Sequence, residues 1–133
     1  MSGLVFLEKY KSFFHDGSLI KINILQNNDM DFFVESAEID NNDCCLNLSP
    51  HNTIMGIIHL RNVNSIIIND EKENELVMHL PEGEIMHLSV ASTSFNIEIL
   101  WHNPSSSSNG ISNYENIEIS CDNVDWEFMN FER

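Results

Sequence analysis

The chain has 133 residues, of which 42% are hydrophobic and 20% charged. That is enough for one domain of ordinary size, spanning 1–133, too few for two, and globular rather than disordered in composition. Twenty-one acidic residues face six basic ones, a formal net charge of −15 at pH 7, and such a field repels nucleic acid and anionic membranes while attracting basic partners.

Lysine is confined to Lys9, Lys11, Lys21 and Lys72. No apolar run reaches the ~18 residues of a membrane-spanning helix. The start, MSGLVFLEKYKSFFHDG, lacks the basic region, long apolar stretch and small-residue cleavage site of a secretory signal. Cys44 and Cys45 are adjacent and Cys121 stands far away. An odd count with a vicinal pair suits a reducing compartment, so the expected location is cytoplasmic. The absence of CxxC removes the signal for a zinc ribbon or a thioredoxin-type motif.

Leu4, Leu7, Tyr10 and Phe14 recur at spacings of three and four, which predicts a short amphipathic helix ending before Gly17. The apolar LVFL leaves an N-terminal strand as the alternative. From Gly17 the period becomes two. SLIKINIL and MDFFVESAEI read as a hairpin turned by NNDMD, with Phe32, Val34 and Ser36 on one face. A polar connection, DNNDCCLNLSPHNT, leads to strands IMGIIHL and SIIIND. In SFNIEILWHN, Phe95, Ile97, Ile99 and Trp101 share a face. NPSSSSNGISN has no periodicity and reads as an exposed loop. NIEISC aligns Ile117, Ile119 and Cys121, and VDWEFMNF aligns Val124, Trp126 and Phe128. The expected fold is mainly all-β: an antiparallel sandwich or barrel of about eight strands with a short N-terminal helix.

Between these lies ELVMHLPEGEIMHLSV, in which Met-His-Leu occurs on both sides of Pro81-Glu82-Gly83. A three-residue loop there would pair Met78 with Met86 and Leu76 with Leu88. His79 and His87 would then be diagonal neighbours on the opposite face, ~7–8 Å apart at the backbone. A zinc site would need a third ligand such as His59 or Glu75. The spacing supplies none securely, so no metal or other cofactor is expected.

The adjacent His15 and Asp16 form a corner before the first strand, with Asp turning the chain and Gly17 easing it. The pair lacks the further histidines and aspartates on helices of the HD phosphohydrolases. GxSxG, GxGxxG, GxxxxGK[ST] and HExxH are all missing. No catalytic residue is assigned, and basic patches interleaved with aromatics are absent.

FFHDGSLIKI, then FFVESAEI and GIIHLRNVNSIII, together resemble a group of small bacterial proteins with an FHDG-type corner and an Ile/Leu-rich strand pair near mid-chain. The layout is loosely similar to immunity proteins of polymorphic toxin systems. The resemblance covers roughly 13–70 and implies a compact cytoplasmic β-protein without catalytic residues.

Three functions compete. The first is a non-enzymatic binder that masks a basic protein, such as an immunity protein blocking a toxin. It would use Asp40 and Asp43, then Asp70, Glu71 and Glu73, then Asp122 and Asp125 with Trp126 as aromatic anchor. The second is a small-ligand or metal-binding β-barrel centred on His59, His79 and His87. The third is an assembly module using an exposed strand edge.

Overall fold

The computed structural model describes residues 3–39, 48–78, 82–101 and 113–129. It opens with helix α1 (Gly3–Tyr10), extended by a 3-10 turn over Lys11–Phe14. Leu7, Tyr10 and Phe14 of the predicted stripe are buried and Leu4 is half-buried, while Phe6, expected only to flank the stripe, is buried with them.

Nine antiparallel strands follow among the described residues: β1 (Ser18–Ile24), β2 (Met30–Glu35), β3 (Met55–Arg61), β4 (Ser65–Ile68), β5 (Glu71–Glu73), β6 (Gly83–Ala91), β7 (Ser94–Trp101), β8 (Asn113–Ser120) and β9 (Asn123–Phe128). They form one sheet in the order β5-β4-β8-β7-β6-β1-β2-β3-β9. The expected all-β antiparallel fold with a short N-terminal helix is therefore present.

The sheet bends where β1 meets β6. Only Ser18 with Glu84 and Leu19 with Gly83 pair there. Both strands bulge next to this junction, β1 between Leu19 and Lys21 and β6 between Ile85 and His87. A bulge inserts an unpaired residue, bends its strand and increases the local twist. The sheet thereby folds over itself. Phe32 of β2 and Phe95 of β7 meet across the interior at 5.0 Å between ring centroids. Ile58 of β3 and Ile97 and Ile99 of β7 are also fully buried through the alternation of their strands, and Ile85 of β6 and Ile117 of β8 join them.

The chain before β1 closes one side. Asp16 N–H donates to the Ile85 carbonyl at 2.8 Å, and Ile85 N–H donates to the Gly17 carbonyl at 2.8 Å. Asp16 takes the left-handed conformation, with φ 66. Gly17 serves close approach instead, because a Cβ there would strike the Glu35 carbonyl. At the other end, Gly3 sits flush against the Trp126 backbone. The helix thus covers β9, the last strand of the sheet, against stray pairing.

Among the described residues, the seven non-glycine residues with positive φ are all Asn or Asp: Asp16, Asn27, Asn28, Asn52, Asn62, Asn69 and Asp70. These side chains tolerate the left-handed region best after glycine. The asparagine-rich composition supplies turns that five glycines alone could not. Asn69 and Asp70, at φ 52 and 69, form the two-residue link between Ile68 and Glu71. Two consecutive left-handed residues make it a type I′ hairpin.

Among the described residues, which leave out 79–81, the first arm of the mirrored hairpin is not a strand. Residues 74–78 belong to no strand, and β6 pairs with β7 and β1 instead. The bulge at Met86 also breaks the assumed parity, so Ile85 and Leu88 are both buried. Leu76 is buried as expected, but away from any ladder.

Candidate partner-binding surface

The solvent face of β2, β3 and β9 carries a cluster of charged side chains joined by hydrogen bonds and ion pairs. Asp31 of β2 stands directly opposite His59 of β3, and His59 opposite Asp125 of β9. The His59 ring lies between two carboxylates. Its Nδ1 is 2.6 Å from Asp31 Oδ1 and its Nε2 is 2.8 Å from Glu127 Oε1. Each ring nitrogen thus has a carboxylate oxygen within hydrogen-bond distance. Arg61 extends the group, with Nη1 3.4 Å from Asp29 Oδ2 and 3.9 Å from Asp31 Oδ1. The backbone N–H of Asn62 donates to Asp29 Oδ1 at 2.9 Å, and its side-chain amide donates to Asp122 Oδ2 at 2.7 Å.

The result is an acid-rich knot in which Asp29, Asp31, Asp122 and Glu127 surround His59, Arg61 and Asn62. Asp31 and His59 are largely buried, with side-chain exposures of 13% and 14%, while Glu127 is 62% exposed. The knot ties three neighbouring strands together on their outer face.

The predicted contact residues fall in different places. Asp40 and Asp43 lie outside the described residues, as do His79, Cys44 and Cys45. Asp70, Glu71 and Glu73 are exposed on the β4–β5 hairpin at one end of the strand order. Asp122 and Asp125 are exposed next to or within β9, at the other end. Asp70, Glu71, Glu73 and Asp125 enter no ion pair among the described residues.

Trp126 is not on the surface. It is 7% exposed and packs on Phe6, Phe14 and Phe128 at centroid distances of 5.2, 5.6 and 5.5 Å. An aromatic anchor must reach a partner, and this ring is enclosed by helix α1.

His59 and His87 are not brought together. They sit on β3 and β6, with β1 and β2 between them. His87 is exposed and pairs in register with Glu98. Among the described residues no group of three or more His, Cys, Asp or Glu side chains is arranged to hold a metal ion. His15 donates from Nδ1 to the Met86 carbonyl at 2.6 Å, which spends the corner on holding the β6 bulge.

One interior acid escaped the sequence analysis. Glu115 of β8 is buried and accepts a hydrogen bond from Trp101 Nε1 at 2.8 Å. It shares parity with Ile117, Ile119 and Cys121, a signal that placed it on the inner face. Cys121 is itself buried, and desolvation pushes its thiol above the ordinary value of 9.0, opposed in part by backbone hydrogen bonding at Asn123.

Fold and surface together define an acidic, all-β antiparallel protein built on one bent sheet. Comparison with protein-family models, curated proteins and solved structures finds no match for this chain. No helix among the described residues is long and apolar enough to cross a membrane.

Proposed function

We propose that the protein is a non-enzymatic, acidic, cytoplasmic binder of a basic protein, an inhibitor of the toxin-immunity type. The observation that supports this reading is the uncompensated part of the −15 charge. Arg61 is engaged by Asp29 and Asp31, Lys21 lies over the Phe33 ring, and Lys9 lies over Tyr10. The exposed acids of the β4–β5 hairpin and Asp125 are left to the solvent. A field of one sign steers an oppositely charged partner and rejects others, acting mainly on association rate and specificity.

The test is capture from a bacterial lysate by the tagged protein at low and then high salt. The screening length falls from ~10 Å at 0.1 M to ~3 Å at 1 M. A basic protein held at low salt and released at high salt is the expected result. Charge reversal at Glu71, Glu73 and Asp125 should weaken that capture without changing the melting temperature. Retention that ignores salt, or no basic protein at all, would refute the reading.

A further inference from the structure

The sheet has an opening along one edge of β1. Ser18 and Leu19 pair with β6, but the remainder of β1 pairs only with β2, through Lys21–Phe33, Ile22–Phe32, Asn23–Asp31 and Ile24–Met30. Among the described residues no strand occupies the other edge from Ile20 to Ile24. The edge is apolar at its far end, where Ile24 is 56% exposed and Leu25 is 42% exposed. Unpaired N–H and C=O groups on an apolar strand form a template for another strand.

Such edges are ordinarily guarded by lysine, a bulge or a covering element. Here the bulge stops at Ile20, and α1 covers β9 instead. The strand's one lysine is drawn away from the open edge. Lys21 Nζ lies over the ring of Phe33, on the neighbouring strand β2, at 5.4 Å from its centroid.

The edge also ends in a cavity. A space of about 330 Å³ lies between β1–β2 and β4–β5, lined by Ile24, Met30, Val63, Ile66 and Glu73 among others. Met30 and Ile66 belong to the core, so an apolar side chain entering there would touch buried carbon. Glu84 stands at the near end of the edge, opposite Ser18, and Asp31 stands opposite Asn23. The cavity lining carries Lys72 beside Glu73, and Asp31 is engaged by His59 on the side of β3, so the charge that favours a basic occupant is the net field of the whole chain.

We infer that β1 is a docking edge that takes up an extended, lysine- or arginine-bearing segment of the partner protein as an added antiparallel or parallel strand. Main-chain hydrogen bonds to Ile20–Ile24 supply affinity, and the cavity beside Ile24 takes one apolar side chain. The occupant is a basic segment rather than a second copy, because a second copy brings another −15 to the same edge. The inference rests on the reading that the partner is a basic protein.

The probe is a blocked seven-residue peptide of alternating lysine and valine, with a control of the same length carrying proline at its centre. Hydrogen exchange is followed in the full chain at low ionic strength. The alternating peptide should protect those amides of 20–24 that β2 leaves unpaired, and the proline control should not. Ile24→Lys, at a position too exposed to disturb folding, should weaken peptide binding about tenfold or more, as loss of an anchor does. The melting temperature of that variant, unchanged from the parent, confirms that it is folded.

Protection confined to 71–73 or 123–128 would overturn the inference, since the peptide would then be reading charge alone. So would self-association at low salt that protects those same amides without peptide, which would make a second copy the occupant. The two proposals separate in the lysate experiment. If Ile24→Lys still captures the basic partner as the parent does, the docking edge is refuted and the partner reading stands. If the parent captures nothing while the peptide protects β1, the partner reading falls and the strand-addition edge stands.

Discussion

Replacing Trp126 with alanine separates a core residue from an interface residue. The ring is 7% exposed and packs on Phe6, Phe14 and Phe128. Deleting a buried Trp side chain costs ~3–5 kcal/mol through lost burial and the cavity left behind. The three ring contacts add up to ~0.5–1.5 kcal/mol each, which argues for the upper end. Against this, Nε1 has no hydrogen-bond partner among the described residues. Removing an unsatisfied buried donor recovers ~1–3 kcal/mol. The net expectation is about 3–4 kcal/mol, out of the ~7–20 kcal/mol that 133 residues at ~0.05–0.15 kcal/mol each provide. For this size each kcal/mol moves the melting temperature by ~3–5 °C, so the drop should be ~10–20 °C. Trp126→Phe keeps most of the ring packing and discards the orphan donor, so it should cost only about 1 kcal/mol. Thermal melts of the three proteins by circular dichroism decide the matter. A Trp126→Ala variant melting within about 3 °C of the parent would refute the packing and return Trp126 to the list of surface contacts.

The charge knot, the turn and the buried thiol each give a further test. His59→Ala removes the link between Asp31 and Glu127 and leaves Asp31 largely buried with only the longer contact to Arg61, so it should cost ~1–2 kcal/mol in urea unfolding; a change below about 0.3 kcal/mol would mean that the knot is merely superficial. Asn69→Ala and Asn69→Gly both lose the hydrogen bond that Asn69 Oδ1 accepts from the Asn116 N–H, but only alanine is forced into the left-handed region, so the alanine variant should be less stable than the glycine variant by ~1 kcal/mol; equal effects would contradict the type I′ turn. Cys121 should resist iodoacetamide in the native protein and react on unfolding, as peptide mapping can read. Its folded thiol stays neutral to a higher pH than the unfolded one. The associated stability is therefore complete below 9.0, the ordinary value, and is lost as pH rises through the raised folded value. Cys121→Ala should show less of that alkaline loss than the parent.

Local periodicity carried the fold a long way. Phe95, Ile97, Ile99 and Trp101 are all buried, as are Ile117, Ile119 and Cys121, because alternation in a strand is a local property. Pairing is not local. β3 runs into β4 through three residues, yet β3 pairs with β2 and β9 while β4 pairs with β5 and β8. The two Met-His-Leu repeats suggested a hairpin by symmetry, and the Met86 bulge shows why symmetry misleads: one inserted residue reverses the face of everything beyond it. Trp126 shares parity with Val124 and Phe128, so its burial was legible, and assigning it to a partner overrode that signal. The Asp31–His59 opposition was illegible without the β2–β3 register, since 28 residues separate the two.

The open β1 edge explains what so large a charge could protect against. An apolar edge with its lysine turned aside invites pairing with its own copies. Two chains meeting there would bring two bodies of −15 together, and that repulsion acts through solvent over a screening length. At low salt the field holds the copies apart and favours a basic occupant. At ~1 M salt the screening length shrinks to ~3 Å, and the edge loses this defence. The chain should therefore sediment as a monomer at low salt and self-associate at high salt. Ile24→Lys, which places a charge on the edge itself, should abolish the high-salt association. A parent protein that stays monomeric at high salt and high concentration would show that net charge is not what keeps β1 unpaired.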